Sequence, residues 1–154
     1  MNLFKYIKNV LENREKNGYE FIYILVDVHN TILVSSFDKE ETFQYYKDAK
    51  EALQMLSNCS FIKLIMWTSS YLDKIDMYLK HFSENGIIFD YANENPLMNN
   101  NSFGCFNTKF FYDIGIDDKF GFEAEKDWSL IIETIKPFVL WRKFYLIGLK
   151  KGLD

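Results

Sequence analysis

The sequence predicts an α/β domain built on a mainly parallel sheet, and three observations point there. An unbroken apolar run rich in β-formers, residues 21–26, has the character of a strand buried on both faces, and a second apolar run spans residues 61–67. Stripes of apolar residues at helical spacing lie before, between and after them. With 154 residues, 48% hydrophobic and only 2 Pro and 7 Gly, the chain is sized for one domain with a packed core, which excludes wholesale disorder.

The elements follow in order. Leu3, Phe4, Ile7, Val10 and Leu11 recur at helical spacing and Asn17 and Gly18 form a stop, so residues 2–16 read as an amphipathic helix, part of a docking segment over residues 1–18. The first strand then runs to Asp27. From Tyr46, the positions Ala49, Leu53 and Leu56 make a helix that ends at Ser57 and Asn58, and the second strand leads to Thr68. Ser70 and Asp73 have capping-box spacing, and Leu72, Ile75, Leu79 and Phe82 continue a helix closed by Asn85 and Gly86. Residues 87–91 read as a third strand and 110–116 as a fourth. The loop between them carries Asn at 93, 95, 99, 100, 101 and 107, and its length marks it as a cover. A last helix is expected over residues 125–136, with Trp128, Ile131, Ile132 and Ile135 inward, until Pro137 breaks it. Residues 137–154 form an aromatic and basic tail. Neither repeat nor linker divides the chain, so it reads as a single domain over 1–154 with its core at 21–136.

Composition narrows the function. The 18 Lys+Arg against 22 Asp+Glu, a charge of -4, provide no electrostatic footprint for nucleic acid. No apolar stretch is long enough to span a membrane, and the first residues lack the apolar core of a secretory signal. Cys59 and Cys105, far apart, suit a reduced, cytoplasmic compartment, and with His29 and His81 they are too few for a structural zinc site. Any metal here would be a hard cation held by carboxylates.

In a parallel α/β sheet, ligands sit at the carboxyl ends of the strands. Asp27 to Thr31 end the first strand, Thr68, Ser69 and Ser70 the second, Lys109 precedes the fourth, and Asp117 and Asp118 end it. Three carboxylates brought together repel unless protonated or bridged by a cation, and Mg²⁺ is the simpler solution. Thr68 and Ser69, at a helix N-terminus, have the groups to hold a phosphate, and Lys109 adds a positive charge. Anion site, cation and carboxylates together indicate phosphoryl transfer.

These four stations, Asp27-Val28-His29-Asn30-Thr31, Leu64 to Thr68, Lys109 and Ile116-Asp117-Asp118, resemble the motifs of the haloacid dehalogenase (HAD) superfamily over about residues 21–122. The resemblance implies a Rossmann-like three-layer sandwich with Asp27 as nucleophile, forming an aspartyl-phosphate that water hydrolyses. It further implies Mg²⁺ on the Asp27 carboxylate, the His29 carbonyl and the acid pair, with Asp118 in direct contact and Asp117 through water. Thr68 would bond a phosphoryl oxygen and Lys109 would screen charge. His29 departs from the pattern, standing where most family phosphatases have a second Asp as general acid and base. An imidazole can carry out that relay, and its backbone can still bind metal.

Ordinary roles stand beside these. Lys119 competes with Lys109, Asp113 reads as a satisfied polar group within the fourth strand, His81 as solvent-exposed, and Tyr45, Tyr46, Phe110, Phe111 and Tyr112 as core. Only 36 residues separate Thr31 from Thr68 and 40 separate Thr68 from Lys109, which leaves no room for a large cap domain. In the family, capless members take large or exposed phosphate groups, or use a second subunit as a lid, so a small phosphorylated molecule, a phosphate on a larger one and a homo-oligomer are all admissible. The competing expectation is a catalytically impaired metal- or phosphate-binding or interaction module, suggested by His29 and the tail. A halide-releasing hydrolase is disfavoured because that chemistry does not require a metal-binding acid pair.

Overall fold

A computed structural model of the chain describes residues 2–36 and 42–151, with side chains through residue 139 in the last helix. Four parallel strands, β1 (Ile22–Asp27), β2 (Ile62–Trp67), β3 (Tyr91–Ala92) and β4 (Ile114–Ile116), lie in the order β3-β2-β1-β4. Four α-helices accompany them: α1 (Leu3–Asn17), α2 (Ala49–Ser57), α3 (Leu72–Glu84) and α4 (Asp127–Lys151). This is the expected α/β architecture. No described helix is long and apolar enough to cross a membrane.

The layers follow from strand parity and crossover handedness. Ile22, Ile24 and Val26 of β1, Leu64 and Met66 of β2, and Ile114 and Ile116 of β4 share one core with Ile7, Leu53, Tyr78, Phe82, Trp128 and Ile131 of the helices. The alternate positions Tyr23, Leu25 and Ile65 look the other way, where Met98, Phe110, Phe111 and Tyr112 cover them. Right-handed crossovers from β1 through β2 to β3 place α2 and α3 on one face. The return from β3 past β1 to β4 carries residues 93–113 over the opposite one. The Asn-rich loop is therefore the third layer.

Local chemistry explains the ends of α1. The Asn2 side chain accepts from the Lys5 N–H at 2.9 Å, and Gly18, at φ 68°, closes the helix by donating to the Arg14 carbonyl.

Four expectations are corrected. Ser70 and Asp73 form no capping box: the N-cap of α3 is Tyr71, without a side-chain bond, because Ser70 Oγ pairs with Thr68 Oγ1 at 2.9 Å. β3 begins at Tyr91 rather than 87, since the Leu64 N–H donates to the Asp90 carboxylate at 2.9 Å instead of to a neighbouring strand's backbone. β4 begins at Ile114 rather than 110. The Asp113 carboxylate takes the Tyr23 N–H at 2.8 Å, and residues 110–112 turn their rings onto the second face of the sheet.

Pro137 does not break the last helix. α4 continues through it to Lys151, with Ile135 in the core and Phe138 and Val139 packed against it. Proline costs the bond to the carbonyl four residues back, and burial of this stripe outweighs that loss. The backbone of residues 137–151 is thus helical, and the tail's docking surface from residue 140 onward lies outside the described side chains.

Candidate functional site

β1 and β4 are neighbours in the sheet although β1 leads on to β2 on its other side, so the gap between their carboxyl ends is the topological switch point. The register pairs Val26 with Ile116, which sets Asp27 and Asp117 side by side one residue beyond the last pair. Ligand-capable oxygens of Asp27, Asp117 and Asp118 all lie within 4.8 Å of one another.

Thr31 ties the cluster together. Fully buried, its hydroxyl donates to Asp27 Oδ2 at 3.1 Å and accepts the Asp118 N–H at 3.1 Å. Trp128 of α4 anchors that loop by donating its indole N–H to the Thr31 carbonyl at 2.8 Å. Asp117, 4% exposed, accepts the Lys119 N–H at 2.8 Å, which holds its carboxylate against the rim. Asn30 has φ 58°, a conformation that Asn tolerates, and it turns the chain tightly between Asp27 and Thr31.

The electrostatics are unfavourable for three bare carboxylates. Burial, followed by the neighbouring Asp117 charge, pushes the Asp27 carboxyl up to about 6, with Asp118 adding to the rise. Hydrogen bonds from Thr31 and the Val28 N–H oppose the shift without cancelling it. This donor set of closely placed carboxylate oxygens suits a hard divalent cation.

On the other side of β1, Thr68 stands at the end of β2, 7% exposed. Asn93 holds it from the loop after β3: Thr68 N–H donates to Asn93 Oδ1 at 2.9 Å and Asn93 Nδ2 to the Thr68 carbonyl at 2.7 Å. Sequence reasoning singled out Thr68 and missed Asn93. The available signal was an Asn just past a strand, at a place where the chain takes φ 56°. Ser69 is exposed beside Thr68.

The remaining expected residues are less concentrated. His29 Nε2 lies 2.8 Å from the Tyr78 hydroxyl, with the rings edge to face, so a residue of α3 that sequence reasoning placed nowhere orients the imidazole. Lys109 is exposed on the loop before β4 and lines a cavity of about 410 Å³ with Tyr6, Cys105 and Asp113. His81, expected in solvent, is instead half-buried and stacked on Phe43 and Tyr45 at 4.2 and 5.7 Å, and burial lowers its pKa. Phe43 and Tyr45 close over α3 there and shield the ring.

No family model matches the chain, and no curated protein matches it. Among solved structures it is similar to the "conserved protein coded by locus from Bacteroides thetaiotaomicron", with 26% identity and a TM-score of 0.58 over 76% of this chain and 91% of that one. The chain shares its α/β architecture with that conserved protein.

Proposed function

We propose that this protein is a Mg²⁺-dependent phosphomonoester hydrolase of the HAD type, with Asp27 as its nucleophile. The observation that carries this function is the convergence of Asp27, Asp117 and Asp118 within 4.8 Å at the sheet's switch point. A cation among them would relieve the repulsion that lifts Asp27 to about 6. The Asp27 and Asp118 carboxylates and the His29 carbonyl would hold it, with Asp117 behind them. When bound, Mg²⁺ neutralises charge on the phosphoryl oxygens.

The chain's own residues do the rest. Thr31 fixes the rotation of the Asp27 carboxylate through its bond to Oδ2. The ionised carboxylate attacks phosphorus in line, the P–O bond to the alcohol breaks as the bond to Asp27 forms, and the departing oxygen takes a proton from His29. Water, giving its proton back to the imidazole, then attacks the aspartyl-phosphate, frees phosphate and restores the carboxylate. Thr68, clamped by Asn93, offers its hydroxyl to a phosphoryl oxygen. Lys109 has no assigned step, because the structure puts it in a cavity with Tyr6 and Asp113.

A second reading, metal and phosphate binding without turnover, is favoured by one observation: His29 Nε2 is already engaged by Tyr78. Phosphate release from a panel of phosphomonoesters, with Mg²⁺ or with chelator, separates the two. Release that needs metal and vanishes in Asp27→Asn supports the hydrolase. Metal-dependent thermal stabilisation without release supports binding alone.

A further inference from the structure

The side of the site away from Asp117 is formed by an aromatic residue with no part in the chemistry above. Trp67 is the register partner of Asp27 on the adjacent strand. Paired residues of parallel strands project to the same face, about 4.8 Å apart. Asp27 is therefore flanked by Asp117 on one side and by Trp67 on the other. An indole is longer than an aspartate side chain and offers a flat apolar face at this rim of the sheet.

In-line attack sends the leaving group to the far side of phosphorus from Asp27, outward from the rim. Trp67 is 39% exposed, although its neighbours in β2, Met66 and Ile65, are wholly buried. It is held edge to face by Phe110, with ring centroids 5.6 Å apart, and Phe110 is backed in turn by Tyr112 at 6.4 Å. A tryptophan that only sealed the end of the sheet would be covered. This one is braced by Phe110 and stays partly exposed on the strand next to Asp27.

We propose that Trp67, braced by Phe110, is a specificity-determining shelf on which the leaving group of the substrate stacks, and that the substrate is a phosphomonoester carrying a planar aromatic ring. This rests on Asp27 being the phosphoryl-accepting residue. A nucleobase and a simple aryl group share the required flat π-face, and both stack on indole.

The test measures binding by calorimetry in the presence of Mg²⁺, in an Asp27→Asn background that cannot turn substrate over. Two matched pairs are compared: adenosine 5′-monophosphate against ribose 5-phosphate, and phenyl phosphate against cyclohexyl phosphate. The aromatic member of one pair binds about tenfold more tightly, and the pair that shows this identifies nucleobase or aryl group as the occupant. Adding Trp67→Leu brings that ratio close to one, and Trp67→Phe keeps part of it. Ratios near one in both pairs, or a ratio that survives Trp67→Leu, overturn the shelf. Phosphate release by the otherwise unaltered chain is measured on the same compounds. Release without an aromatic preference in binding removes the shelf and keeps the hydrolase, whereas preference without release removes the hydrolase and leaves Trp67 a ring-binding surface with no leaving group to hold, which overturns the shelf as proposed.

Discussion

The two ends of the sheet treat their carboxylates in opposite ways. At the amino end, Asp90 accepts the Leu64 N–H and pairs with Lys63 at 2.8 Å, and Asp113 accepts the Tyr23 N–H. At the carboxyl end, Asp27, Asp117 and Asp118 face one another, and the hydroxyl of Thr31 and a few N–H groups are the donors set among them. The first set replaces missing ladder bonds and completes the fold. The second collects more acceptors than the chain's own donors meet, which is what a cation site requires.

The same chemical change at each end tests that difference most strongly. Asp27→Asn keeps the shape of the side chain and removes the proposed nucleophile, so phosphate release should fall by about 10⁴-fold or more. Asp113→Asn keeps the oxygen that accepts the Tyr23 N–H, so release and melting temperature should both hold within error. Steady-state kinetics and thermal melts of the two variants side by side decide the matter. An equal loss of activity in both would erase the distinction.

Thr31→Val gives the next largest effect. It is nearly isosteric and removes the hydroxyl that joins Asp27 Oδ2 to the Asp118 N–H. Leaving that part-buried N–H unmet costs about 1–3 kcal/mol, and loss of carboxylate alignment should lower kcat/KM by about 10–100-fold. Denaturant melts and kinetics measure the two separately. A stability loss with unchanged kcat/KM would make Thr31 a purely structural tie.

A smaller effect follows from the charge on Asp27. Its carboxyl lies at about 6 in the folded chain against 3.8 for an ordinary aspartate, so between those values the folded state binds a proton that the unfolded state has released. The corresponding stability is fully present below the unfolded value and is lost as pH rises through about 6. In chelator, the chain should lose about 1–2 kcal/mol relative to Asp27→Asn across that window, a figure already discounted for partial solvent screening. Mg²⁺ should restore it at neutral pH. Parallel curves for the two proteins would contradict the electrostatic account of the site.

The sequence carried the long elements and the acid cluster because their signals are local. Strand runs at residues 21–26 and 61–67, stripes on α1 and α3, and carboxylates at strand ends can be read without knowing what packs on them. The short strands could not be read so, because Asp90 and Asp113 substitute side-chain acceptors for backbone ones, and only the register shows it. Continuation of α4 past Pro137 depended on burial of Ile135 and Phe138, which outweighs a local rule. The roles of Asn93, Tyr78 and Trp128 in steadying Thr68, His29 and Thr31 span 25, 49 and 97 residues, and no spacing in the sequence announces such pairs.

Tyr78→Phe should produce the smallest effect. The substitution keeps the edge-to-face contact with His29 and removes only the hydroxyl 2.8 Å from its Nε2. Tyr78 is almost wholly buried, so phenylalanine fits the same space and the fold should survive. If the imidazole passes a proton to the leaving oxygen, loosening its orientation lowers kcat by about threefold to tenfold while KM holds, because the relay acts after substrate has bound. An unchanged kcat would mean that the Tyr78 bond serves packing alone. A kcat that rises would mean that Tyr78 holds the imidazole back from the site, and that the binding module is an active site kept partly closed by its own third helix.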